Sequence, residues 1–159
     1  MPTGVGFDSI EYIVKPFGSG PSRPRRSRPP PRPAGQAFDV ILALSVLTHM
    51  RVDSQQAWMP EFDRLLKPGG LVILTLHGDA SVVAGLSKRQ HRRYLRGEAV
   101  VVGGRSEGTN FCRSYHPAQL VSKNLARPLE VIEFKPQGAT GNPPQDLWVL
   151  RRTEREVIP

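Results

Sequence analysis

Residues 38–78 read FDVILALSVLTHMRVDSQQAWMPEFDRLLKPGGLVILTLHG, and the pattern of this stretch decides the architecture. From Phe38 the run FDVILALSV is continuously apolar, as a strand is when helices cover both of its faces. Asp53 and Ser54 are placed to cap a helix whose apolar positions Ala57, Trp58, Phe62, Leu65 and Leu66 share one face. Pro60 should kink that helix, and Lys67-Pro68-Gly69-Gly70 should end it. LVILTL, Leu71 to Leu76, follows at once as a second buried strand. Strand, helix, strand in this order is the right-handed crossover of an α/β fold, and it predicts a parallel sheet.

Downstream the signals are shorter. Ser87 to Arg96 reads as a basic helix, Glu98 to Val102 as a brief strand and Gly103 to Asn110 as a loop. His116-Pro117 opens a helix that runs to about Asn124. LEVIEF and DLWVLR, joined by the turn-rich KPQGATGNPPQ, should then pair antiparallel as a hairpin. Upstream, residues 21–36 read PSRPRRSRPPPRPAGQ, where proline fixes the backbone torsion and arginines repel one another. An extended, solvated connector is expected there. The chain thus divides into residues 1–20 with a partial strand and a glycine-containing loop, a linker over 21–36, and an α/β domain over 37–155.

Composition limits the alternatives. With 159 residues, 38% of them hydrophobic, the chain can bury one core of ordinary size. Its longest apolar runs are too short to span a bilayer and its first residues lack a charged segment leading into an apolar one, so a cytoplasmic protein is expected. The single cysteine, Cys112, excludes a disulfide framework and a zinc knuckle, and no metal is expected. The net charge of +8 is uneven: Lys15, Arg23, Arg25, Arg26, Arg28 and Arg32 face only Asp8 and Glu11 in residues 1–36. Half of the excess therefore lies in the segment containing the connector, which weakens a nucleic-acid reading based on charge alone.

FDVILALSVLTH, an amphipathic helix and LLKPGGLVILTLHG together resemble the segment from the fourth to the fifth strand of class I S-adenosylmethionine-dependent methyltransferases. GTNFCRSYHPAQLV, followed by the LEVIEF and DLWVLRR strands, is similar to the closing helix and hairpin of a bacterial branch of that family. The likeness covers roughly the last three-quarters of the chain and is one of analogy. It implies an incomplete Rossmann-like methyltransferase sheet, mostly parallel with a C-terminal antiparallel hairpin, and S-adenosylmethionine as cofactor across the carboxyl ends of the strands. Backbone groups of Ala43, Leu44 and Ser45 would face the methionine portion, Val46 and Leu47 would form the wall beside it, and Thr48-His49 would begin the next turn. The plainer alternative makes Val46 and Leu47 ordinary core residues and His49 a turn cap.

The family also has a glycine-rich turn after its first strand. Here IVKPFGSGPSR, Ile13 to Arg23, supplies Phe17, Gly18, Ser19 and Gly20 in order, but Pro16 stands where an acidic residue is expected. Family members carry helices and two further strands between that turn and the fourth strand, whereas this chain has only its Arg/Pro-rich connector. A second alignment makes GVGFDSIEY the second strand, with Asp8 as the ribose carboxylate. In the family the first strand lies beside the fourth, so Ile10 to Val14 should pair with the edge of Val40 to Leu44. A bare edge would instead invite a second copy and a homo-oligomer.

Methyl transfer is an in-line displacement that needs alignment, exclusion of water and sometimes a proton acceptor. By resemblance His77 and His116 border the substrate side and are the candidate acid-base groups, with Tyr115 and Asn110 as further contacts; a capping or surface role is the duller reading of each histidine. Cys112 reads as a small buried residue. A small-molecule methyl acceptor is the expected partner. Two rivals stand beside it: a non-catalytic remnant or partner subunit, and a nucleic-acid binder using Lys88, Arg89, Arg92, Arg93 and Arg96 with His91 and Tyr94. A solvated helix face is the simpler account of that basic cluster.

Overall fold

A computed structural model describes residues 11–12, 35–141 and 143–153. The linker segment over 21–34, the Phe17-Gly18-Ser19-Gly20 loop and Asp8 lie outside the described residues. Among the described residues seven strands form two sheets: β1 (Glu11–Tyr12), β2 (Phe38–Ala43), β3 (Leu66–Leu76), β6 (Glu130–Ala139) and β7 (Gln145–Arg151) in one, β4 (Val100–Val102) and β5 (Arg113–Tyr115) in the other. The larger sheet has the order β1-β2-β3-β7-β6. β1, β2 and β3 run parallel, and β7 is antiparallel to both β3 and β6, so four of the five strands point one way. The mostly parallel α/β sheet with its C-terminal hairpin is the one expected.

The parallel pair at the centre sets Val40 against Leu71, Leu42 against Ile73 and Ala43 against Leu74. β1 takes the free edge of β2, with Glu11 opposite Ile41 and Tyr12 opposite Leu42. This is the pairing expected for a first strand; Ile10, Ile13 and Val14 lie outside the described residues.

Helix α1 (Val52–Leu65) crosses between β2 and β3 and runs through Pro60. Its buried Trp58, Met59, Phe62 and Leu65 meet Ile41, Ala43, Val72, Leu74 and Leu76 of the sheet, with Trp148 and Leu150 from β7. Helix α4 (Ala118–Leu120), continued by a wider π turn over Val121–Leu125, adds Val121 and Leu125 to the same core. Helical cover on both faces was expected, but among the described residues the helical part of the main core comes from these two elements and from Leu47 in the single turn after β2. Val40, Leu42, Leu71 and Ile73 on the other face are accordingly only half-buried.

Other boundaries also differ from the sequence reading. The N-cap of α1 is Arg51, not Asp53 or Ser54; its N–H goes to the Glu107 carboxylate at 3.0 Å, a partner 56 residues away. Asp53 instead pairs with the Arg51 guanidinium at 3.0 Å. The helix ends at Leu65, and β3 begins at once, because Leu66 pairs with Phe38 before a register shift. Lys67-Pro68-Gly69-Gly70 therefore lies in the strand, held by Arg152 N–H to Gly70 O at 2.9 Å and Gly69 N–H to Arg152 O at 3.2 Å. Gly70 is needed there, since a Cβ would lie 2.9 Å from the Lys67 carbonyl oxygen and 3.1 Å from that of Asp39.

After β3 come helix α2 (Asp79–Gly85), which the sequence did not reveal, and helix α3 (Lys88–Leu95), which it did. Ser87 and Gln90 close a capping box on α3. Tyr94 is its buried anchor, packed with Val82, Val100 and Tyr115 in a second small core. No described helix is long and apolar enough to cross a membrane.

Candidate functional site at the carboxyl edge of the sheet

Parallel strands that stop together leave a ragged edge of turns, and in open α/β sheets ligands bind outside the carboxyl ends of the strands. Here that edge comprises the turn after β2, the end of β3 at His77 and the start of β7 at Gln145. Ala43 is buried, while Leu44 is 54% exposed. Ser45 takes a left-handed backbone conformation, φ 55°, which a side chain with a Cβ adopts only at a cost. The Ser45 N–H donates to Thr75 Oγ1 at 2.8 Å, the Thr75 hydroxyl donates to Gln145 Oε1 at 2.6 Å, and Gln145 Nε2 donates to Ser45 Oγ at 2.9 Å. Ser45 Oγ also lies 3.3 Å from Thr48 Oγ1. Val46 then starts the single turn Leu47–His49 and packs, partly buried, against the main core.

Three histidines gather at the same edge. His77 and His116 are both buried and are joined through the backbone, His116 N–H to His77 O at 2.9 Å. The ring of Tyr115 packs against that of His77 with centroids 5.4 Å apart. Burial pushes His77 down to about 4, helped by repulsion from His49 and Arg113, and pushes His116 down to about 3, helped by repulsion from His77. Both rings are therefore neutral at physiological pH.

Their surroundings fix one tautomer. Gln55, buried on the inner face of α1, donates through Nε2 to Leu47 O (2.8 Å), Met50 O (3.1 Å) and Ser114 Oγ (2.8 Å). Two carbonyls accept from that atom, so it must be the amide nitrogen, and the Gln55 oxygen is the group 2.7 Å from His116 Nε2. His116 Nε2 therefore carries the hydrogen, and Nδ1 holds a lone pair. The Nδ1 atoms of both His77 and His116 are buried without a hydrogen-bond partner among the described residues. His49 Nδ1 donates to Cys112 O at 2.9 Å, and His49 O accepts from Gly108 N at 2.8 Å. Together with the Glu107 contact to Arg51, these bonds fasten the loop before β5 over the turn that follows β2.

Of the other residues singled out, Tyr115 is buried in the second core, Asn110 is exposed, and Cys112 is fully buried with its thiol pushed up to about 11 by burial. The basic cluster divides. Arg93 and Arg96 pair with Glu98 at 2.7 and 2.9 Å, and Tyr94 points inward, its hydroxyl donating to Asp79 Oδ1 at 2.7 Å and His116 O at 3.1 Å. Sequence reasoning missed Gln55, Thr75, Ser114 and Gln145. Two had a visible signal: Gln55 sits on the apolar stripe of α1, three and seven residues before Trp58 and Phe62, and Thr75 interrupts LVILTL.

Comparison with known proteins agrees with this fold. Residues 31–74 match the family model described as a methyltransferase domain. An S-adenosylmethionine-dependent methyltransferase from Methanosarcina mazei superposes with a TM-score of 0.52 at 15% identity, covering 76% of this chain and 62% of that one. A 1,6-didemethyltoxoflavin-N1-methyltransferase from Burkholderia thailandensis, solved with 1,6-didemethyltoxoflavin and S-adenosylhomocysteine bound, gives 0.54 at 13% identity, covering 78% of this chain and 48% of that one. No curated protein sequence matches. The fold is thus that of the class I S-adenosylmethionine-dependent methyltransferases, and residues 31–74 are similar to the methyltransferase-domain family. It spans about half to three-fifths of the length of these two structures.

Proposed function

We propose that this chain binds S-adenosylmethionine at the carboxyl edge of β1, β2 and β3 and serves methyl transfer to a small-molecule acceptor. The observation that carries the reading is the Ser45 turn: a strained, hydrogen-bonded backbone beside an exposed Leu44, at the position where an open α/β sheet binds ligands. The site's donor set fits the cofactor, since Ala43, Leu44, Ser45 and Val46 offer backbone groups and small or apolar side chains rather than competing charges. His49 closes the far side of that turn. Phe17, Gly18 and Gly20 complete the site in this proposal. When bound, S-adenosylmethionine supplies an electrophilic methyl carbon on a sulfonium sulfur.

The chain's own residues then have to orient the acceptor and exclude water. His77 is the group proposed to meet it, through the unpartnered Nδ1. A side chain held near 4 is a weak base at neutral pH, so its role is to fix a hydrogen bond rather than to carry away a full proton. His116, tied to Gln55 and to the His77 carbonyl, holds His77 in place.

The nucleic-acid alternative rests on α3, and there Glu98 already takes two of the five cations and the core takes Tyr94. A solvated face is the simpler reading. Titration calorimetry of the full chain with S-adenosylhomocysteine tests the proposal: saturable binding with Kd about 100 μM or tighter is expected. Absence of heat at millimolar ligand overturns it and leaves the non-catalytic methyltransferase-like reading.

A further inference from the structure

Ser45 is one of three non-glycine residues with positive φ among the described residues, and it is the one that follows the carboxyl end of β2. A serine does not hold φ 55° by its own preference; in isolation its side chain favours the right-handed or extended regions. Something outside the turn must hold it. Three strands contribute: β2 leads into Ser45, β3 provides Thr75 and β7 provides Gln145. Their side chains close a ring in which every donor meets an acceptor, Ser45 N–H to Thr75 Oγ1, Thr75 O–H to Gln145 Oε1 and Gln145 Nε2–H to Ser45 Oγ. Thr75 is buried, so its hydroxyl would be costly to leave unpaired, and each bond in the ring is enforced by the cost of breaking it. Gln145 lies 100 residues from Ser45 in sequence, so no local turn preference accounts for the contact.

We infer that Thr75 and Gln145 are positioning residues that hold the Ser45 turn in the left-handed form required for binding at the edge, acting through Ser45 rather than by touching the ligand. The inference rests on the cofactor reading above. It adds that affinity depends on two side chains of β3 and β7. It also gives a direction to each change. Gln145→Leu removes both a donor and an acceptor and frees Ser45 to relax. Gln145→Glu keeps the ring closed, since a carboxylate accepts from both the Thr75 and the Ser45 hydroxyls. Ser45→Gly makes the left-handed turn inexpensive without any ring, because glycine populates positive φ freely.

The full chain, wild type and variants, is titrated with S-adenosylhomocysteine by calorimetry, and the coupling between the Ser45 amide and α protons, which reads φ, is measured by NMR without ligand. Gln145→Leu and Thr75→Val are expected to weaken binding about tenfold, Gln145→Glu to stay within about threefold, and Gln145→Leu in a Ser45→Gly background to cost less than about threefold. The Ser45 coupling should leave its wild-type value in Gln145→Leu and return in Gln145→Glu. An unchanged coupling in Gln145→Leu, or an equal loss of affinity with and without Ser45→Gly, overturns the inference. Should the wild type fail to bind, the cofactor reading falls with it, while the coupling still decides whether the ring holds the turn.

Discussion

Lowering the pH from 7 to about 4 should destabilise this protein by several kcal/mol, with most of the loss below pH 6.5. His77 and His116 are neutral in the fold, held near 4 and near 3 by burial, whereas each has an ordinary value of 6.5 once unfolded. Below pH 6.5 the unfolded chain therefore binds protons that the folded chain refuses. The stability that depressed histidines confer is present above their unfolded pKa and is lost as pH falls toward the folded value. At about 1.4 kcal/mol per pH unit per group, the two together cost on the order of 5 kcal/mol by pH 4, comparable to the whole stability of many small domains. Asp146 works the other way: burial raises its carboxyl, so its contribution is lost as pH rises. Urea unfolding at a series of pH values checks the balance. The expected slope approaches two protons taken up per molecule near pH 5, and about half of it should vanish in His77→Phe, which keeps a ring against Tyr115. Stability that is flat from pH 7 to pH 5 would contradict the burial of these two rings.

Gln55→Leu should be the most damaging single substitution that leaves the volume of the core unchanged. Leucine fills the space, so no cavity term enters. What is lost is polar: Met50 O loses a donor, Ser114 Oγ loses one, and the His116 Nε2 hydrogen loses its acceptor. His116 would then be a fully buried imidazole with neither nitrogen paired to another side chain. An orphaned buried polar group costs about 1–3 kcal/mol, and with several affected at once a loss of about 3 kcal/mol or more is expected. For a chain of this size that corresponds to a fall in Tm of about 10 °C. Thermal unfolding measures it directly. A change below about 1 kcal/mol would mean that the Gln55 network does not hold the turn after β2 to β5 and His116.

Where sequence reading succeeded, the physics is local. Val40 to Leu44 and Leu71 to Leu76 announce strands through nearly continuous apolar runs, and the Trp58, Phe62 and Leu65 spacing announces the helix between them. The basic stretch Ser87 to Arg96 announces the helix that spans Lys88–Leu95. Where it fell short, the deciding partner lies far along the chain. Arg51 is an N-cap because Glu107 reaches its amide, and β3 starts five residues early because Leu66 pairs with Phe38 and Arg152 pairs with Gly69 and Gly70. β5 is three residues long and exists because β4 and His77 lie beside it. The site shows the same division. Ala43 to Val46, His49, His77 and His116 are named from resemblance, and their roles are the ones proposed above. The Thr75–Gln145 ring and the Gln55 network could not be named, because a threonine or glutamine gives no sign of which distant atom it will meet.

The most direct test of binding at the carboxyl edge is amide-resolved NMR of the full chain titrated with S-adenosylmethionine. Saturable shifts at Ala43, Leu44, Ser45 and Val46, with little change along α3 or β6, are the expected result. Shifts confined to α3, or none at millimolar cofactor, would contradict it.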